Sequence, residues 1–68
     1  MDRNNKIAGY RVMLSKTQKD MGKILGITSQ AYGAKENGKR SFKDSEKVVI
    51  KNMVAKLYPN ITYEDLFF

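Results

Sequence analysis

Apolar residues return along this chain at intervals of three and four rather than two, which is the spacing of helices and not of strands. Ile7, Tyr10 and Leu14 share one face of a predicted first helix over residues 5–14. Thr17 suits the N-cap of a second helix, and Asp20, three positions on, completes a capping-box pattern. Met21, Ile24 and Leu25 form the expected buried face of that helix. Gly26 fits a left-handed position at its end, having no Cβ to clash there, and Ile27 is expected to plug the core after the turn. Thr28 caps a third helix over residues 29–36, which Asn37 and Gly38 end, with Tyr32 turned into the core. A fourth helix begins between Phe42 and Glu46 and reaches Leu57, with Val49, Ile50, Met53, Val54 and Leu57 as its apolar stripe. Pro59 blocks continuation, because it biases Tyr58 away from helix. Thr62 with Asp65 is another capping pair and starts a one-turn helix over residues 63–67. The expected architecture is all-α: a compact bundle of about five short helices, in a single domain over residues 1–68.

Size and charge narrow the picture. A domain of 68 residues hides only about 60% of its unfolded surface, so its stability is marginal. There is no cysteine and no histidine, which excludes a disulfide framework and a Cys/His zinc site. The net charge is +6, from 13 Lys+Arg against 7 Asp+Glu. That excess favours polyanions, with solubility alone as the plainer explanation. No apolar run approaches the ~20 residues of a membrane span, and the polar opening MDRNNK lacks a signal-peptide core. A cytoplasmic protein that binds no membrane is expected. Ser15, Ser29, Ser41 and Ser45 have no histidine to activate them, and the carboxylates are scattered or serve as caps, so neither catalysis nor a cofactor is expected.

Several features occur together and in order: Arg11 in the first helix, Thr17 and Gln18 opening the second, Leu25-Gly26-Ile27-Thr28 at the turn, Glu36-Asn37-Gly38-Lys39 closing the third, and a late Asp65-Leu66-Phe67. In these features, from Ile7 to Phe67, the chain resembles the Cro/C1-type (XRE-like) helix-turn-helix regulators of phages and bacteria. The resemblance implies a lambda-repressor-like DNA-binding domain, with the helix-turn-helix at about residues 17–37. It implies a structural ion pair between Arg11 and Glu36. It implies phosphate contacts from Gln18, Asn37, Lys39 and Arg40, and base-facing positions at Thr28, Ser29, Gln30 and Ala34. The chemistry of these side chains agrees in part. Gln30 can pair bidentately with adenine, Ser29 can contact several bases, and Lys19 and Lys23, one turn apart, can reach the backbone.

The third helix departs from the family pattern. Gly33 sits mid-helix, Ala34 stands where a polar reader is common, and Lys35 stands where an apolar anchor is usual. Gly33 either admits the DNA backbone closely, or the small residues leave a shallow surface for a partner protein. Gly22, where the family favours alanine, is expected to be a close-packing point, and Gly9 to relax the first helix. Lys6 with Arg11, Lys16 with Lys19, and the cations at 35, 39, 40 and 43 are basic clusters that either meet phosphate or form a solvated face. Leu66, Phe67 and Phe68 make an apolar C-terminal stretch, expected to place one residue in the core and offer the rest as an interface. Two functions follow as expectations. One is a small DNA-binding regulator of a phage or bacterial genetic switch, either repressor or Cro-like, which is a homodimer if it follows its relatives. The other is an antirepressor that binds a partner repressor protein.

Overall fold

The computed structural model of the protein describes residues 5–67. Among them the chain forms five helices and no strand: α1 (Asn5–Met13), α2 (Gln18–Leu25), α3 (Ser29–Glu36), α4 (Asp44–Ala55) and α5 (Tyr63–Phe67). The predicted boundaries agree to within two residues. The largest difference is at α4, which stops at Ala55 rather than Leu57.

Local chemistry sets most of these ends. Thr17 Oγ1 accepts from the Asp20 N–H at 3.0 Å, and Asp20 accepts in return from the Thr17 N–H at 2.9 Å. The backbone donation from Thr17 holds the Asp20 carboxyl below its ordinary pKa. Thr28 Oγ1 accepts from the Ala31 N–H at 3.0 Å. Thr62 and Asp65 repeat the reciprocal box at 3.1 Å in both directions. Gly26, with φ 75°, closes α2. The Ile27 N–H reaches back to the Gly22 carbonyl at 2.8 Å, the Schellman pattern that satisfies carbonyls at a helix end. Gly38, with φ 85°, does the same for α3, where the Lys39 N–H meets the Ala34 carbonyl at 2.9 Å.

The core gathers Ile7, Met21, Tyr32, Phe42, Ile50, Val54, Ile61 and Leu66, so every helix and both long loops contribute to it. Tyr10, Leu14, Leu25, Ile27 and Met53 pack around it. Tyr32 is fully buried, as its helical spacing predicts. Three expected core positions are not in it: Ile24, Leu57 and Val49, the last only half-buried. Ile24 is 42% exposed, because a helix as short as α2 turns only a narrow stripe inward, and Met21, Gly22 and Leu25 fill it. Leu57 is 45% exposed, because the chain leaves the helix after Ala55 and carries the stripe out of register.

Helices α2 and α3 share the most extensive contact of any helix pair among the described residues. A Cβ built on Gly22 would lie 2.7 Å from the Ile27 carbonyl oxygen and 3.2 Å from the Ser29 nitrogen. Glycine at 22 therefore lets the start of α3 press directly on the backbone of α2.

Candidate nucleic-acid interface

Most of the residues expected to meet DNA line one face, whereas Arg40 lines a separate hollow with Ser41, Phe42, Lys47 and Phe67. Gln18 from α2, Ser29, Gln30, Gly33 and Ala34 from α3, and Asn37 and Lys39 from the following loop line an open depression of about 350 Å³. Thr28, Gln30, Asn37, Lys39 and Arg40 are exposed, as is Lys19 one position beyond Gln18. Ser29 and Ala34 are half-buried. Ser29 Oγ donates to Gln30 Oε1 at 3.3 Å, so the two polar residues of the first turn of α3 are coupled.

Beneath this face lies a polar network centred on Glu36. Its carboxylate accepts from Arg11 Nε at 2.8 Å, from Tyr32 Oη at 2.8 Å and from Gln18 Nε2 at 2.9 Å. Arg11 also donates to the Lys16 carbonyl at 2.9 Å, which ties down the end of α1. Burial pushes the Glu36 carboxyl up, but donation from Arg11, Gln18 and Tyr32 outweighs it and holds the group below the usual carboxylate range. Burial, and then the bond to Glu36, push the Tyr32 hydroxyl the other way, above its ordinary value. The bond to Glu36 likewise raises Arg11. No described buried side-chain polar atom lacks a partner.

Several expectations need correction. Gly33 does not open α3 to an approaching backbone, since it is buried and the Gln18 amide lies over it. A Cβ at 33 would meet Gln18 Oε1 at 3.3 Å. Gln18 itself is half-buried and already donates to Glu36, so any phosphate contact must use its remaining hydrogen-bonding capacity. Arg11 is held by Glu36 and is not part of a surface cluster with Lys6. Lys35 belongs to no phosphate-facing group, being 5% exposed with its Nζ against Glu46 at 2.7 Å. Leu66 is fully buried and is core, not interface. Phe67 is half-buried, edge-on to Phe42 at 5.7 Å with Lys47 Nζ 5.5 Å above its ring. Phe68 lies outside the described residues.

Exposed apolar residues lie elsewhere, with Val12 and Ile24 on α1 and α2, Val48 beside Tyr63, and a cluster around Tyr58. Tyr10 and Tyr58 stack edge to face at 5.6 Å, Tyr58 Oη lies 4.0 Å from Met13 Sδ, and Met13, Leu57 and Tyr58 are 52%, 45% and 42% exposed. Sequence reasoning missed this cluster because Met13 and Tyr58 are 45 residues apart. Its one signal was Leu57 and Tyr58 standing next to Pro59, where a helical stripe cannot continue. Among the described residues there is no group of acidic, histidine or cysteine side chains that could hold a metal, and no helix is long and apolar enough to cross a membrane. No protein-family model, curated protein or solved structure matches the chain.

Proposed function

We propose that this chain is a small DNA-binding transcriptional regulator of a phage or bacterial genetic switch, a lambda-repressor-like domain of the Cro/C1 type acting in the bacterial cytoplasm on the nucleoid. The observation that carries this reading is the convergence of Gln18, Ser29, Gln30, Ala34, Asn37 and Lys39 on one depression across a helix-turn-helix, in a chain of net charge +6. Helix α3 lies in the major groove. Gln30 presents both a donor and an acceptor to an adenine edge, Ser29 supports it, and Ala34 meets a thymine methyl. Asn37, Lys39 and Arg40 hold phosphate on one side, and Lys19 with the start of α2 holds it on the other.

The Tyr10, Met13, Leu57 and Tyr58 cluster favours a second element of the reading, a protein partner. A second copy docked there makes a homodimer that spans two half-sites about one DNA turn apart. A neighbouring repressor docked there makes the chain an antirepressor. Base contacts and phosphate contacts separate under mutation. Gln30→Ala should relax sequence choice, whereas Lys39→Ala should weaken binding to every duplex and make it less salt-dependent. Equal losses from both changes on all sequences would count against base reading by α3. Co-purification with a repressor, in a protein that retains no DNA, would favour the antirepressor.

A further inference from the structure

We infer that Lys35 and Glu46 are positioning residues for the loop that carries Asn37, Lys39 and Arg40, with Glu46 as a single staple for both of its ends. The Glu46 carboxylate accepts from Lys35 Nζ at 2.7 and 2.8 Å through its two oxygens. One of those oxygens also accepts from the Lys43 backbone N–H at 2.8 Å. Lys35 lies in the last turn of α3, and Lys43 is the N-cap of α4. The seven residues between them include the exposed run Asn37 to Ser41. Lys35 and Glu46 are each 5% exposed.

A buried ion pair is an expensive way to fill space, and apolar residues of similar volume usually serve the fold as well or better. What apolar residues cannot supply is an acceptor for the Lys43 N–H together with a directional tie to α3. The rest of the loop is held by α3 and by the core. The Lys39 and Arg40 N–H groups both reach the Ala34 carbonyl, at 2.9 and 3.3 Å, and Phe42 is seated in the core. Once Lys43 is fixed against Glu46, the backbone from 37 to 43 has both ends pinned. Lys39 and Arg40 then project from a rigid loop at a set distance from α3.

The functional consequence rests on the DNA reading proposed above, and the experiment separates the two. Three proteins are compared: the native chain, Lys35→Met/Glu46→Leu, and Lys35→Met/Glu46→Gln. The leucine variant removes both ties, whereas the glutamine variant keeps an oxygen for the Lys43 N–H. Binding to a random-sequence duplex is measured across a salt series, and amide exchange is followed at Lys39 and Arg40. The leucine variant should bind about tenfold more weakly, with a log K against log salt slope shallower by about one, the equivalent of one lost phosphate contact. Exchange at Lys39 and Arg40 should quicken while α2 and the core of α3 stay protected. The glutamine variant should lie between the two, about threefold below native, because the Lys43 tie survives and the Lys35 tie does not; a glutamine variant equal to native would remove Lys35 from the role. Leucine and glutamine variants that behave alike, whether both native or both weakened, would overturn the inference. Should the leucine variant not fold, Lys43→Pro against Lys43→Ala asks the same question. The φ of −73° at 43 suits proline, which deletes the N–H, whereas alanine removes the side chain beyond Cβ and keeps the N–H. Proline should then bind less well than alanine, and equal binding would refute the staple. A native chain that binds no duplex at all would sink the DNA reading, and the exchange comparison alone would then decide the role of the pair.

Discussion

Gly33 is where stability and the proposed function pull in opposite directions. Glycine inside a helix costs about 1 kcal/mol relative to alanine, and its place in α3 is the one that Gln18 overlies. A methyl there meets the far end of a flexible side chain at 3.3 Å, which can give way, but only by loosening the bond from Gln18 to Glu36. Gly33→Ala should therefore raise thermal stability, by something under 1 kcal/mol, while lowering duplex affinity. A melt and a binding titration on the same sample check this, and a variant that gains stability with unchanged affinity would remove Gln18 from the interface. Single residues with local partners were the most legible part of the chain. Thr17 with Asp20, Thr28, Gly26 and Thr62 with Asp65 do what their spacing predicts, because a cap involves only its own turn. Lys35 was not legible. Its partner is eleven positions away across a loop, and no periodicity in the sequence connects the two.

Between elements, the packing of α2 on α3 decides whether the candidate face exists at all. The 2.7 Å approach of a would-be Cβ at Gly22 to the Ile27 carbonyl leaves no room for a side chain, and the obstacle is backbone rather than a mobile tip. Gly22→Ala should thus destabilise the fold by about 1–3 kcal/mol, the usual range for overpacking, even though alanine is the better helix former. Chemical denaturation measures this. A neutral or stabilising result would mean that the two helices can separate freely, and that their relative placement does not define the depression. The pair α2 and α3 with its turn was readable from sequence because both caps and the closing glycine lie within twelve residues of one another. The exposure of Ile24 and Leu57 was not readable, nor was which residue of the C-terminal apolar stretch enters the core. Periodicity reports which residues share a face, but which face is covered depends on where the chain turns after each helix, and α2 and α4 end where a regular stripe would have continued.

For the molecule as a whole, the titration behaviour follows from two buried carboxylates in a chain without histidine. Burial pushes Glu46 up, but Lys35 and the Lys43 N–H hold it below the ordinary range, as Arg11, Gln18 and Tyr32 hold Glu36. A carboxylate lowered in the folded state adds stability above its unfolded pKa of about 4.3 and loses it as pH falls through the folded value. Tyr32 is raised, so its contribution is complete below about pH 10 and is lost as pH rises beyond that. Stability should accordingly be flat from about pH 6 to 8 and fall on the acid side below about pH 4, and denaturation midpoints across that range test it. A midpoint that moved between pH 6 and 8 would point to a titrating group other than these. The same network places α1, α2 and the end of α3 in one rigid frame behind Gln18, which is what a surface reading DNA requires. The most direct test of that reading is selection of bound duplexes from a randomised library at about 0.15 M salt, a condition where non-specific binding is weak. A reader of sequence should enrich a short motif, and Gln30→Ala should degrade that motif at one position. Uniform recovery of all sequences, or no recovery, would contradict it.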